Sequence, residues 1–246
     1  MSSAKPVTVC VLAYGDHAPL LARCLESLRA LPDSLYDLDI WMNAPGRETF
    51  GLVDHFPVEV RRLRIARENV GKCAAMRGLF TGVESEFVWW FDDDVYLLQE
   101  SARAALPRRL TLARCASPDV VAWGHVWTAD ARTWSYGLPV PEFCESADWY
   151  RGLPLPRRWW PFLAGYNWFA RMDALRRMDW PDRRLDCAAD DVFLGEAIRQ
   201  DGSRFADVGS LDIGGSGTPR RGGARSVDLE RALFRPNLCN LSRAPA

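Results

Sequence analysis

Apolar runs and helical stripes alternate along the first half of the chain. VTVCVLA (7–13) is continuous and β-rich, the pattern of a strand covered on both faces. Leucines at helical spacing follow in PLLARCLESLRAL (19–31), and Asp16 stands where an N-cap is expected. DLDIWMN (37–43) reads as a second strand stopped by APG, and VEVRRLRIA (58–66) as a third, more exposed one. NVG breaks that run, and KCAAMRGLFTGV (72–83) reads as a helix. FVWWF (87–91) is the most apolar strand. SARAALPRRLTLAR (101–114) is helical in composition but interrupted by Pro107, and VVAWGHVW (120–127) is a further strand. Strands alternating with helices predict a mostly parallel, Rossmann-like α/β sheet flanked by helices.

After about Thr128 the texture changes. Prolines and tryptophans crowd the chain, and eight of its 11 tryptophans lie between Trp123 and Trp180. Sparse, irregular structure is expected here. RMDALRRM (171–178) predicts a short helix, and DDVFLGEAIRQDG (190–202) a longer one with Ala189 or Asp190 near its cap. RFADVG (204–209) predicts a short strand, and VDLERALF (227–234) a final helix. The Gly-, Ser- and Arg-rich stretch 209–225 predicts a mobile loop. The expectation is one domain over 1–246, with a ligand-binding half at about 1–127 and a second half at about 128–246.

Composition narrows the class. At 246 residues and 48% apolar content, the chain can bury one sizeable core. A formal net charge of −1 supplies no global attraction to nucleic acid or anionic membrane. The basic residues are almost all arginine; Lys5 and Lys72 are the only lysines. Seven scattered cysteines (10, 24, 73, 115, 144, 187, 239) form no CxxC pair, which argues against a disulfide framework or zinc cluster and for a reducing cytoplasm. The first apolar run is too short for a secretory signal, and no stretch approaches a membrane span. A cytoplasmic protein is expected.

The candidate chemistry begins where FVWWF runs into Asp92, Asp93 and Asp94. Ligands of open parallel sheets bind outside the carboxyl ends of the strands. Strand alternation aims Asp92 and Asp94 to one side and Asp93 to the other. Two carboxylates on one side repel unless a cation or a set of donors neutralises them. Magnesium or manganese suits hard oxygen ligands, and magnesium recruits substrate phosphates. This is a DxD site for a divalent ion and the diphosphate it holds; the plainer alternative is an acidic loop capping the next helix.

Four segments, in order, resemble the GT-A fold glycosyltransferases, especially the family 2 type. VCVLAYGDHAPLLARCLESL resembles the opening strand, nucleotide loop and helix. MNAPG stands where that family reads the base. ENVGKCAAMRGLF leading into FVWWFDDDV resembles the asparagine-glycine segment, helix and DxD. ADDVFLGEAIRQDG resembles the acceptor-side acidic pair. The resemblance implies inverting sugar transfer from a nucleotide-activated donor, UDP-linked by expectation, to an acceptor hydroxyl, with Mn2+ or Mg2+ held at Asp92 and Asp94. Asp191 matches the second member of the acidic pair and is the expected base, with Asp190 the alternative; one of the two can instead cap the helix. Donor contacts are expected from Ala13, Tyr14, Asp16, Asn43, Asn69, Gly71, Lys72, Arg77, Asp92 and Asp93. For Asp16 an N-cap, for Asn43 an Asx turn, for Lys72 a surface turn and for Arg77 a solvated helix face are the plain alternatives.

The chain departs from that pattern in one respect. Many GT-A enzymes have a late histidine on the metal, whereas here His17, His55 and His125 all lie upstream. Asp212 is a possible substitute, and Arg220 and Arg221 can neutralise a diphosphate instead. Trp159, Trp160 and Trp168 flank AGYN at the expected acceptor wall and can stack on a sugar ring. With Arg157 and Arg158 beside them, a polynucleotide acceptor such as a modified DNA base is a minor option. Two rival functions are a nucleotidyltransferase on a similar sheet and a non-catalytic nucleotide-sugar or carbohydrate binder. AYGDHAP carries no lysine or arginine, which counts against the first, and retention of both acidic sites counts against the second.

Overall fold

The computed structural model describes residues 5–130, 140–157, 159–185, 190–209 and 212–215. The apolar run at the start forms β1 (Val7–Tyr14), which is central enough that seven of its eight residues are buried. It pairs in parallel with β2 (Tyr36–Asn43) on one side and β4 (Phe87–Asp92) on the other. β3 (Arg62–Ala66) adds a parallel edge to β2. Across β4 lies β7 (Trp159–Arg171), antiparallel to it. Then come β6 (Val120–Asp130), antiparallel to β7, and β8 (Arg204–Asp207), parallel to β6. The order β3-β2-β1-β4-β7-β6-β8 is thus mostly parallel, as the alternation of strands and helices predicts. A two-stranded annex pairs β5 (Val95–Leu97) with β9 (Ile213–Gly215).

Helices cover both faces. On one, α1 (Ala18–Leu28) and α4 (Ala102–Cys115) pack Leu21, Leu25, Ala105 and Leu106 against Val9, Val11, Trp89 and Phe91. On the other, α3 (Lys72–Phe80), α6 (Met172–Arg177) and α7 (Asp190–Gln200) pack Met76, Leu175 and Phe193 with Cys10, Trp90 and Trp168. The short α2 (Arg47–Phe50) and α5 (Val140–Glu145) complete the described helices. Alternation in FVWWF splits its aromatics between the two cores. Trp90 stacks on Trp168 at 6.0 Å with Phe80 edge-on to both, while Phe87 stacks on Phe169 at 5.0 Å.

Three local expectations are corrected. Pro107 does not interrupt α4: proline forfeits one helical N–H, and buried Ala105, Leu106, Leu110 and Ala113 hold the helix against the sheet. The Trp- and Pro-rich region is not sparse in regular structure. WWPFLAGYNWFAR forms the 13-residue β7, in which Trp160, Phe162 and Trp168 are buried on one face of the sheet and Phe169 on the other, while the Trp159 side chain lies outside what is described. Within the stretch expected to be a loop, Ile213–Gly215 pairs with β5. Residues 210–211 and 216–225, with Arg220 and Arg221, and the helix expected at 227–234 lie outside the described residues, as does Arg158.

Candidate active site

The carboxyl ends of β1, β2 and β4 open on one edge of the sheet, and β7, running the other way, brings Gly165 to the same edge. β4 ends at Asp92; Asp93 and Asp94 form the turn into β5. Alternation therefore governs Asp92 and Asp93, which do face opposite ways, but it does not fix the side of Asp94. Asp93 is buried on the α1 side and accepts hydrogen bonds from the Tyr14 N–H at 3.0 Å and from His17 Nδ1 at 3.1 Å. Asp92 turns to the α3 side. It accepts from Trp90 Nε1 at 3.1 Å and from Lys72 Nζ at 3.2 Å. Asp94 is partly exposed.

Lys72 is the hub of the site. Its Nζ also donates to the Gly165 carbonyl at 2.9 Å and stands 3.4 Å from Asp190 Oδ2. Burial opposes its charge most, yet the fields of Asp190, Asp92 and Asp191 together outweigh burial and hold its pKa above the usual lysine range. Asp190 and Asp191 open α7, where the helix dipole favours acidic residues. α7 is pressed onto β7: a Cβ on Gly195 would stand 2.7 Å from the Pro161 carbonyl oxygen. Asp191 Oδ1 accepts the Val192 N–H at 2.9 Å. Burial pushes the Asp191 carboxyl up to about 7, and neighbouring Asp190 adds to the rise, against the pull of Lys72 and of backbone donors. A carboxyl so placed suits a proton acceptor working near neutral pH.

The loop that delivers Lys72 is built by two amides. Asn43 donates to Asn69 Oδ1 at 2.8 Å and accepts the Val70 N–H at 2.9 Å; Asn69 Oδ1 also accepts the Gly71 N–H. Gly71, at φ 83°, turns the chain into α3 in a conformation that a side chain would strain. Asn43 thus forms a clasp across 26 residues instead of an Asx turn with APG. Asp16 does not cap α1, whose N-cap is His17; it accepts the Thr49 N–H at 3.2 Å and so caps α2. Ala13 is fully buried in the core, while Tyr14 beside it is 42% exposed. Arg77 donates to the Pro181 carbonyl at 2.8 Å and pairs with Asp179, a bridge between α3 and the turn after α6. Asp212, considered as a late metal ligand, is buried between Arg108 at 3.0 Å and Arg109 at 2.9 Å, so its oxygens are committed to arginine. Trp160 and Trp168 are buried, which removes them as exposed stacking faces; Trp127, paired with Phe162 across β6 and β7, is 50% exposed.

Sequence reading missed the Gly165 carbonyl as a partner of Lys72. The two residues are 93 positions apart, and a backbone acceptor leaves no side-chain signal. It also missed the His17–Asp93 contact, since a lone histidine after a strand carries no motif.

A divalent cation can be tested against this donor set. Among the described residues, no group of three or more His, Cys, Asp and Glu is arranged to hold a metal. The Asp92 and Asp94 carboxylates are nonetheless hard oxygen donors beside an excess of negative charge. Both Asp92 oxygens are already engaged, Oδ1 by Trp90 and Oδ2 by Lys72, so a cation there would have to displace or share these donors and take its other ligands from diphosphate and water.

No family model matches the sequence, and no curated protein matches it. Solved structures do match. A mannosyltransferase, PcManGT, from Pyrobaculum calidifontis, in complex with GDP-Man and Mn2+, superposes with TM-score 0.62 at 19% identity, covering 100% of this chain and 66% of that one. S. aureus TarS matches with TM-score 0.56 at 13% identity, over 84% of this chain and 36% of that one. TarS in complex with UDP-GlcNAc gives TM-score 0.55 at 12% identity, over 84% and 57%. The chain therefore spans between about a third and two thirds of the length of these structures. The fold is the α/β, Rossmann-like fold of GT-A glycosyltransferases.

Proposed function

We propose that this chain is a glycosyltransferase that moves a sugar from a nucleoside-diphosphate donor, UDP-linked in our reading, to an acceptor hydroxyl with inversion. One observation carries the reading. Inside a glycosyltransferase fold, carboxylates from β4 and α7 converge on a single ammonium at the carboxyl edge of the sheet. The solved neighbours hold GDP-Man with Mn2+ and UDP-GlcNAc, which supports a nucleotide-sugar donor.

The donor half, about 1–127, would seat the nucleotide over Tyr14 and the Asn43–Asn69 loop, with the diphosphate toward Asp94. Asp92 and Asp94 would hold Mn2+ or Mg2+, which would supply positive charge to the departing diphosphate. Asp191, from the half at about 128–246, takes the proton of the acceptor hydroxyl as its oxygen attacks the anomeric carbon from the face opposite the leaving group. Asp190, held by Lys72, is the carboxylate less able to serve. Trp127 and the β6–β7 end of the sheet lie on the acceptor side. No described helix is long and apolar enough to cross a membrane. The five described cysteines are free thiols, in keeping with a cytoplasmic setting.

Calorimetric titration with UDP-GlcNAc, GDP-mannose and a panel of other nucleotide sugars, with Mn2+ and with chelator, tests the reading. Wild type should bind one donor in a Mn2+-dependent way, and Asp94→Ala should weaken that binding at least about tenfold, roughly 1.4 kcal/mol. Equal binding by the folded variant, or no binding of any donor, would overturn it.

A further inference from the structure

Lys72 stands where helix energetics would not put a lysine. It is the first residue of α3, and α3 has no acidic residue in its first turn. A positive charge at a helix N-terminus is disfavoured by the helix dipole. In a chain that otherwise uses arginine almost throughout, a lysine here is a chemical choice. An ammonium is a compact point charge with three donors, whereas a guanidinium is a wide planar fork. Three oxygens surround this ammonium: Gly165 O at 2.9 Å, Asp92 Oδ2 at 3.2 Å and Asp190 Oδ2 at 3.4 Å. They come from β7, β4 and α7, so one side chain on α3 joins four elements. The side chain is 20% exposed, and Nζ lies 5.9 Å from the centre of the Trp90 ring.

We propose that Lys72 is the positioning residue of the transfer reaction: by holding Asp92 on the donor side and Asp190 on the acceptor side, it fixes the distance between the diphosphate seat and the base. Lys72 does not itself take up the sugar's phosphate in this scheme. It works through Asp190, keeping that carboxylate at the mouth of α7 and leaving its neighbour Asp191 to face the acceptor. Without the ammonium, three carboxylates of like charge repel one another and the two halves of the site drift apart. A misplacement of about 1 Å is enough to cost about 100-fold in rate. This inference rests on the proposed sugar transfer with Asp191 as base.

The test measures release of nucleoside diphosphate from GDP-mannose and UDP-GlcNAc by wild type, Lys72→Met, Lys72→Arg, Asp190→Asn, the Lys72→Met/Asp190→Asn double variant and Asp191→Asn. Lys72→Met should lower kcat at least about 30-fold while the donor KM stays within about threefold, the split expected of lost alignment. Lys72→Arg should recover little, because a planar fork cannot present one compact charge to the three oxygens of Gly165, Asp92 and Asp190 that the ammonium reaches together. In the Asp190→Asn background the same Met substitution should cost less than about fivefold, since partners that act as a unit are not additive. A KM that rises with kcat unchanged would make Lys72 a donor ligand and overturn the proposal. So would an equal loss in both backgrounds. Asp191→Asn separates the two readings: wild-type turnover there removes the base, whereas an inactive Asp191→Asn beside an unimpaired Lys72→Met removes only the positioning role. If Lys72→Met does not fold, Lys72→Gln, which keeps one donor toward Gly165, replaces it in every arm.

Discussion

Two buried carboxylate sites in this molecule are built on opposite principles. Asp39, on β2, is fully buried and is met by two guanidiniums, Arg61 at 2.6 Å and Arg62 at 2.7 Å. Asp212 is treated alike, between Arg108 and Arg109. At the carboxyl edge of the sheet the ratio is inverted, and Asp92, Asp190 and Asp191 share the single ammonium of Lys72. At Asp39 and Asp212 the carboxylate meets more positive charge than it carries. The edge of the sheet is left short of it, and a shortfall of positive charge is what a cation or a proton in transit completes.

The sharpest way to break this contrast is to remove one carboxylate from each site. Asp191→Asn should lower turnover about 1000-fold, within the range expected for loss of a general base, with little loss of stability. Release of nucleoside diphosphate beside a thermal melt measures both. Asp39→Ala should do the reverse. It leaves two guanidiniums facing a void, but Arg61 and Arg62 are 35% and 20% exposed and can regain water. A loss of about 2–3 kcal/mol is expected in denaturant unfolding, with activity per folded molecule unchanged. An Asp39 variant that stayed stable but lost turnover would erase the distinction.

The pH dependence sharpens the same comparison. Asp191 is held near 7 by burial first and by Asp190 second. As a base it must be ionised, so kcat/KM should rise through about pH 7 and level off above it. Asp190→Asn removes the second cause, and the rise should move toward lower pH by about half a unit or more. Stability runs the other way. The folded state holds this proton up to about pH 7, whereas an unfolded aspartate releases it near pH 4. Between these values the folded state binds more protons, so stability falls as pH rises through that window. Asp191→Asn should therefore gain on wild type between pH 5 and pH 8, by about 1–2 kcal/mol once partial solvent access is allowed for. A constant difference between the two melting curves would contradict the raised carboxyl.

Much of this contrast is legible in the sequence. Continuous apolar runs ending in polar residues gave the parallel half of the sheet, because a strand buried on both faces admits no other pattern. Asp92, Asp190 and Asp191 were legible as candidates for the same reason: carboxylates at the end of a buried strand, and at the start of a helix, need an explanation. The antiparallel β7 was not, since prolines and tryptophans in WWPFLAGYNWFAR hide a period of two. Nor were Asp16 capping α2, the Asn43–Asn69 clasp or the arginine cage of Asp212. Each is a contact across many residues, and local sequence says which groups are polar without saying which partner arrives.

The smallest predicted effect tests how tightly the hub is built. Gly165 is where β7 passes Lys72 and Asp191, and a Cβ there would stand 3.2 Å from the Asp191 Cβ and 3.3 Å from Lys72 Nζ. These separations are short by a few tenths of an ångström, so Gly165→Ala can be accommodated if a neighbour yields. Lys72 has the freer end, but moving it stretches its contact with the Gly165 carbonyl and loosens Asp190. Asp191 is fixed at its Cβ by α7, which Gly195 holds close to β7. The displacement should therefore fall on Lys72, and the cost should be about 1 kcal/mol in stability with a three- to tenfold loss of turnover at unchanged donor KM. At Asp39 no such sensitivity is expected: its arginines reach in from the rim and have room to adjust. Full turnover in Gly165→Ala would mean that the ammonium can shift without consequence, and that the spacing between the two acidic sites is looser than their geometry implies.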